Sequence, residues 1–260
     1  MKPIIYAAWA VLVLIIFPFY ATAQEMEITG TQLAQEVFDR DRGENALSSA
    51  QMVLVNKSGR KRIRYFTTKR IKENNLENQL TRFTAPADIN GTGFLSFEKP
   101  GWETEQFLYL PALKRTRRIV SSQKSQRFVN SDFTYEDMER HPVLNYTYSI
   151  TGLSKVGNLD CFILESRPKQ DIKSQYSLTV SVISKDGFVP VHIKFYDKKN
   201  THIKTYKVLK LERIQGIWTE MTASMEDHKK KHKTYIKLES IKYNTDIKND
   251  DISRKSLENY

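Results

Sequence analysis

The chain has 260 residues, with 41 Lys and Arg against 30 Asp and Glu, which gives a formal net charge of +11. Hydrophobic residues make up 40% of the chain and charged residues 27%, a globular composition that excludes wholesale disorder. The single cysteine, Cys161, excludes an internal disulfide and a cysteine-based zinc site.

The first 23 residues have the pattern of a secretory signal peptide. Lys2 precedes an apolar run from Ile4 to Phe19, and the small-residue sequence Ala21-Thr22-Ala23 follows it. The run contains Pro18 and is shorter than the roughly 20 residues that a membrane-spanning helix needs. We therefore expect residues 1–23 to be removed and an exported mature domain of residues 24–260, with a net charge of about +10.

The mature chain begins with one helix candidate and continues as strands. Thr29 or Thr31 can cap a helix that runs to about Asp39, with Leu33 and Val37 on one side at i, i+4 spacing and Phe38 as a further candidate for that side. Segments that match strands follow one another along the rest of the chain. They are 50–56, 60–71, 79–85, 92–98, 104–110, 114–120, 144–151, 159–166, 176–184, 189–197, 201–213, 216–226 and 233–243.

Alternating hydrophobicity predicts that several of these strands are half-buried in an antiparallel sheet. Val191, Ile193 and Phe195 alternate with polar side chains, and residues 217–226 show a similar pattern. The sequence thus predicts a mainly β fold with a helical lid. Its core is a single curled antiparallel sheet of about 10–11 strands forming a half-open barrel, followed by a polar tail from about residue 245. A curled sheet with a helix across its mouth encloses a cavity.

Motifs for catalysis, cofactor binding and metal binding are absent from the sequence. It has no P-loop, dinucleotide-binding or nucleophile-elbow string. His228 and His232 are four residues apart, but the lysines around them oppose metal binding and favour a solvated basic turn. Asp132, Glu136, Asp137 and Glu139 are candidates for an acid/base pair. Helix capping explains Asp132 without any catalytic role, and this structural interpretation is favoured. We expect a protein that is not an enzyme and has no cofactor or metal.

Basic residues are densest in two clusters, Arg60-Lys61-Arg62 with Arg64, and residues 114–118. A solvated strand face is the simplest interpretation, and attraction to anionic lipid headgroups or to an acidic partner is the sharper one. An exported protein is not expected to bind nucleic acid. The candidate partner-facing or membrane-facing residues are Arg62, Arg64, Lys114, Arg115, Arg117 and Arg118.

Several long segments resemble a known family. The string DINGTGFLSFEKPGWETEQFLYLPALKRTRRI (88–119), followed by RFVNSDFTYEDM (127–138), is similar to the LolA-like family of outer membrane lipoprotein-sorting proteins. Segments 158–169, 189–208, 216–227, 232–244 and 251–259 follow in the family's order, so the resemblance covers nearly the whole mature chain. Asn130 departs from the family's usual glycine at this position, and asparagine tolerates the left-handed backbone that the glycine would adopt.

The resemblance implies a LolA/LolB-type fold in which helices cover an apolar cavity, a periplasmic location, and frequent occurrence beside RND/MMPL-type exporters. It brings no catalytic residues. We expect a monomeric periplasmic carrier that binds acyl chains of a lipoprotein or lipid and moves it toward the outer membrane. Its further partners would be an inner-membrane RND/MMPL-type exporter and an outer-membrane acceptor. The alternative is a non-transporting accessory or sensor subunit of such an exporter or of another envelope complex.

Apolar strand positions are the candidates for the cavity lining. They are Ile63, Tyr65, Phe94, Phe107, Tyr109, Val191, Ile193, Phe195, Ile217, Met221, Ala223 and Met225. Leu33 and Val37 would close the cavity from the helix. Each position suits plain core packing equally well, and a slip of one residue would exchange the two faces of a strand. The pattern does not decide between Tyr109 and its neighbours Leu108 and Leu110.

Overall fold

The computed structural model describes residues 28–100 and 104–259, so the expected signal peptide lies outside the described residues. The chain forms helix α1 (Gly30–Asp39), thirteen strands and helix α2 (Arg254–Glu258). The strands are β1 (Asn45–Val55), β2 (Lys61–Glu73), β3 (Leu76–Ala85), β4 (Gly93–Glu98), β5 (Thr104–Leu110), β6 (Arg115–Ile119), β7 (Tyr146–Val156), β8 (Leu159–Pro168), β9 (Tyr176–Ser184), β10 (Pro190–Asp197), β11 (His202–Ile214), β12 (Ile217–Asp227) and β13 (His232–Tyr243).

All thirteen strands belong to one antiparallel sheet, in the order β6-β5-β4-β3-β2-β1-β13-β12-β11-β10-β9-β8-β7. The pairing of β1 with β13 joins the first six strands to the last seven. Strands β6 and β7 form the two edges, so the sheet is open rather than a closed barrel. The expected fold class, one open antiparallel sheet with helices, is confirmed. The sheet exceeds the expected 10–11 strands because every strand candidate in the sequence pairs.

The connection between β6 and β7 (residues 120–145) crosses the inner face of the sheet and fills one half of it. The Phe94 ring on β4 lies 4.9 Å from the Phe128 ring and 5.8 Å from the Tyr135 ring, centroid to centroid. Phe83 and Leu108 join the same buried cluster. Aromatic groups of this size carry much of the core energy, so the centre of this half of the inner face is a packed core.

Helix α1 covers part of the other half of the inner face, over β7–β9. A capping box between Thr29 and Gln32 begins the helix, and its buried residues Leu33 and Ala34 contact Leu164 and other residues of the sheet. A side chain at Gly30 would lie 2.9 Å from the backbone of β7, so glycine allows the helix to approach this closely. Among the helices of the described residues, none has both the length and the apolar character to cross a membrane.

The outer face is covered in one place by the C-terminal segment. Leu257 of α2 and Ile252 are buried against Leu80, Leu95 and Phe107. The expected polar tail from about residue 245 therefore ends in a helix that packs on the sheet.

Candidate ligand cavity

A cavity of about 300 Å³ lies between α1 and the inner face of β7–β10. Its walls are mostly apolar and aromatic. The lining side chains of this type are Val37, Phe38, Val143, Tyr146, Tyr148, Leu164, Leu178, Ile183, Ile193 and Phe195. A mainly apolar wall with a few polar groups at one end is typical of a small-molecule site.

Strand register brings the wall residues together. Leu164 on β8 is paired with Ser181 on β9, which in turn is paired with Ile193 on β10, so all three face the cavity side by side. Burial raises the pKa of both Tyr146 and Tyr148 far above the ordinary value of a tyrosine. Both phenols are therefore neutral at physiological pH and contribute aromatic surface.

Arginines form the polar end of the cavity. Arg40 and Arg42 follow α1 directly, and Arg140 comes from the connection between β6 and β7. Each holds a carboxylate on a different strand, because Arg40 Nη2 lies 3.1 Å from Glu220, Arg42 Nη1 lies 2.8 Å from Glu77, and Arg140 Nη1 lies 3.0 Å from Glu98. The Arg140 guanidinium also stacks 3.9 Å from the Phe38 ring. These ion pairs fix the end of α1 to the inner face.

A fourth arginine lies behind this end. Arg70 lines a second space of about 180 Å³ together with Arg40 and Arg42, and its side chain is 6% exposed. It donates to the carbonyls of Arg42 and Gly43, while its Nη1 has no hydrogen-bond acceptor in the described chain. Burial lowers the pKa of Arg70 to about 10, with Arg42 adding to the effect. Arg70 is still charged at neutral pH.

Glu139 is the carboxylate most altered by this environment. It lines the cavity with a side chain that is 10% exposed, and Lys124 Nζ lies 2.7 Å from its Oε1. Burial raises the pKa of Glu139 to about 7, and Lys124 only partly opposes this. The polar end of the cavity therefore changes charge near neutral pH.

Three of the predicted lining residues face this cavity: Val37, Ile193 and Phe195. Leu33 lies beside it, fully buried between α1 and the sheet. Met225 packs against Phe195 in a neighbouring cluster.

The two faces of β2 are the reverse of those expected. Ile63 and Tyr65 point outward and are 43% and 38% exposed. Arg64 is paired with the buried Met52 of β1 and points inward, where it donates to the Val129 carbonyl. The sequence analysis detected the alternation of apolar and basic residues along β2 correctly. The basic face is the buried one, because backbone carbonyls and carboxylates inside the sheet bind the arginines.

The remaining lining candidates are elsewhere. Phe94 belongs to the packed core on the inner face, while Phe107 and Tyr109 lie on the outer face in the α2 cluster. Leu108, not Tyr109, faces inward. Val191 packs with Cys161, which is buried as predicted. The other three are Ile217, in a small cluster with Tyr243, half-buried Met221 and buried Ala223.

The lining residues that the sequence analysis missed are mainly aromatic. Tyr146 and Tyr148 alternate along β7, so strand alternation carried a signal for both. Leu178 of β9 is paired with Tyr196, one position away from the Thr179–Phe195 pair, so alternation alone gave no signal for it. Helical spacing had placed Phe38 beside Val37 on the same side of α1. The arginines at the polar end carried no local signal, because their positions depend on contacts between distant segments.

The predicted basic residues do not form one surface. Arg62 is exposed, Arg117 partly opposes the rise in the pKa of Tyr135 that burial causes, and Arg118 lies 2.8 Å from Glu105. Lys114 belongs to the turn between β5 and β6, and Arg115 begins β6.

Asp132 is not a helix cap. Its carboxylate is buried and accepts from Arg127 Nη2 at 2.7 Å, His232 Nδ1 at 2.6 Å and Thr234 Oγ1 at 2.7 Å. His232 is therefore packed against the acid rather than solvated, while Lys229–Lys231 of the same turn are exposed. No group of His, Cys, Asp and Glu in the described residues is arranged to hold a metal ion.

Comparison with known proteins gives this arrangement a context. A family model described only as "uncharacterized protein" matches residues 75–259. A DUF1329 family protein from Desulfovibrio piger superposes with a TM-score of 0.83 and is 30% identical, over 88% of this chain and 97% of that chain. The chain belongs to the DUF1329 family.

Two further structures resemble this DUF1329 protein. A putative outer membrane lipoprotein-sorting protein domain from Vibrio parahaemolyticus has a TM-score of 0.82 and 29% identity, over 88% of this chain and 98% of that one. A LolA superfamily protein from Nitrosomonas europaea has a TM-score of 0.69 and 15% identity, over 88% and 99%. The DUF1329 protein therefore has a LolA-like fold, which confirms the resemblance seen in the sequence. No curated protein matches it.

Proposed function

We propose that this DUF1329 protein is a periplasmic carrier. In this proposal it binds an acyl chain of a lipoprotein or lipid in the cavity under α1 and carries it toward the outer membrane. The observation that carries the proposal is the apolar cavity of about 300 Å³ between α1 and the sheet. The sorting-protein and LolA names of similar structures support it.

The physical reason for such a cavity is the cost of exposing an acyl chain to water. Each buried CH₂ group contributes about 0.8 kcal/mol, so a chain crossing an aqueous compartment needs an apolar container. No reaction is required, and release requires only an acceptor that binds the chain more tightly. The cavity is at the lower end of ligand-pocket sizes, which favours a single chain over several.

Filling the cavity tests the proposal. Leu178 lines the cavity, whereas Leu209 on β11 is 53% exposed. We expect Leu178→Trp to weaken binding of a fluorescent fatty acid, cis-parinaric acid, by about tenfold or more because the indole occupies the space of several CH₂ groups. Leu209→Trp is the matched control and should bind like the unaltered protein.

Two outcomes would contradict the carrier. One is no saturable binding of the fatty acid by the unaltered protein, and the other is equal binding by both tryptophan variants. If the lipid-free protein also captures a neighbouring exporter, the accessory or sensor subunit becomes the better account.

A further inference from the structure

The two ends of the sheet differ strongly in charge. Because the strands are antiparallel neighbours and Val55 at the end of β1 pairs with Lys233 at the start of β13, alternate connections come together at the same end. One end carries the connections β1–β2, β3–β4, β5–β6, β8–β9, β10–β11 and β12–β13. We call this the basic end.

The connections of the basic end contain ten Lys and Arg against two Asp. Lys198-Lys199 and Lys229–Lys231 are its densest runs. The described connections between successive strands at the opposite end contain only Lys99 and Lys185, against Asp186, and the segment from α1 into β1 adds two arginines balanced by two acids. The net charge of +11 is thus concentrated by the topology rather than spread over the surface.

A second cavity of about 280 Å³ opens at the basic end. Arg60, Arg62, Arg64, Arg127 and His232 line it, with Leu54, Asn56 and Asn130, and no carboxylate lines it. In the described chain, the guanidinium groups of Arg60 and Arg62 take part in no ion pair, whereas Arg127 is held by the buried Asp132. A guanidinium group presents two parallel N–H donors that bind two oxygens of a phosphate at once. This cavity therefore suits a phosphate group.

We propose that the basic end docks on the surface of an anionic phospholipid membrane, with the arginine-lined cavity receiving one headgroup phosphate. Lysines around the cavity supply the longer-range attraction, since each basic residue near an anionic membrane adds to the binding energy within about one Debye length. The acyl-chain cavity reaches the same end at Pro168, the last residue of β8, and at Ser174, within the connection that carries Lys169 and Lys173. Docking in this orientation places that cavity at the bilayer surface.

Docking is separable from acyl-chain binding because the two cavities share no lining residue. A variant that loses membrane binding should still bind cis-parinaric acid as before. Vesicle binding and fatty-acid binding can therefore be tested separately, and failure of membrane docking would leave the proposed carrier function untouched.

Vesicle co-sedimentation tests the docking. The basic-end variant carries Lys229→Gln, Lys230→Gln and Lys231→Gln, and a pocket variant carries Arg60→Gln and Arg62→Gln; all five side chains are exposed. The matched control carries Lys99→Gln, Lys155→Gln and Lys185→Gln at exposed positions of the opposite end, with the same loss of charge as the basic-end variant. Circular dichroism verifies that each variant is folded.

We expect the unaltered protein to bind phosphatidylglycerol-containing vesicles but not vesicles of phosphatidylcholine alone, and to be released by salt. The basic-end and pocket variants should each lose about tenfold or more of this binding, and the control less than about twofold. Binding that is equal on both kinds of vesicle, or absent, overturns the proposal. Equal losses in the control and the basic-end variant would also overturn it, because net charge rather than the basic end would then be responsible.

Discussion

Asp132 shows how one residue supports the inner face of the sheet. It joins the connection between β6 and β7 to β13 through His232 and Thr234, and Arg127 balances its charge. A buried carboxylate with three donors is a structural centre, and its removal leaves those donors without an acceptor.

Asp132→Asn should therefore lower the free energy of unfolding by about 3 kcal/mol, measured by urea denaturation. Glu105→Gln, which breaks an exposed pair with Arg118, is the control and should change it by less than about 1 kcal/mol. An Asp132→Asn protein of unchanged stability would contradict this role. It would also reopen the hydrolase interpretation of the acidic segment, which requires lost activity without lost stability.

Glu139 links stability to pH. Its pKa is about 7 in the folded protein against an ordinary value of 4.5, so between these values the folded state holds a proton that the unfolded state has released. Stability contributed by this group is therefore present at low pH, falls as the pH rises through this window, and is constant above it.

The Glu139→Gln protein should lack this pH-dependent contribution to the free energy of unfolding, because glutamine does not titrate. From pH 5 to pH 8, the free energy of unfolding of the unaltered protein should fall relative to that of the variant by about 1–3 kcal/mol. Urea denaturation at both pH values measures this shift. Parallel pH profiles for the two proteins would contradict a raised pKa.

At the scale of elements, β2 explains why strand positions are easier to predict than strand faces. The alternation along residues 61–73 is plain in the sequence, but both faces of the strand carry polar or charged residues, so composition does not show which face is buried. Arg64 and Arg70 are buried because Val129, Arg42 and Gly43 supply carbonyls from distant segments and Glu77 on β3 supplies a carboxylate to Arg70. No local pattern contains those partners, so the sequence placed Ile63 and Tyr65 inside.

Two substitutions test these faces. Phe94→Ala on the inner face of β4 should lower the free energy of unfolding by about 3–5 kcal/mol, because the ring is 1% exposed and contacts two other aromatic rings. Ile63→Ser on the outer face of β2 should change it by less than about 0.5 kcal/mol, because that side chain is 43% exposed. Urea denaturation of both proteins measures the contrast, and equal losses would contradict the assigned faces.

At the scale of the whole molecule, the sequence predicted the fold class, all the strand positions and the helix that covers the cavity. Periodicity, turn residues such as Gly59 and Gly187, and the Thr29 cap are local signals, so they can be read directly. Of the predicted lining residues, only Val37, from helical spacing, and Ile193 and Phe195, from strand alternation, border the cavity. The arginine end and the filled half of the inner face depend on how residues 120–145 cross the sheet, and no local pattern encodes that path.

The central claim, that the cavity under α1 holds an acyl chain, is tested most directly by native mass spectrometry of the protein purified from its own membranes. The account predicts an added mass of one lipid or acylated molecule per chain, absent from the Leu178→Trp protein and retained in the Leu209→Trp protein. A lipid-free spectrum for the unaltered protein, or the same added mass in the Leu178→Trp protein, would contradict the claim.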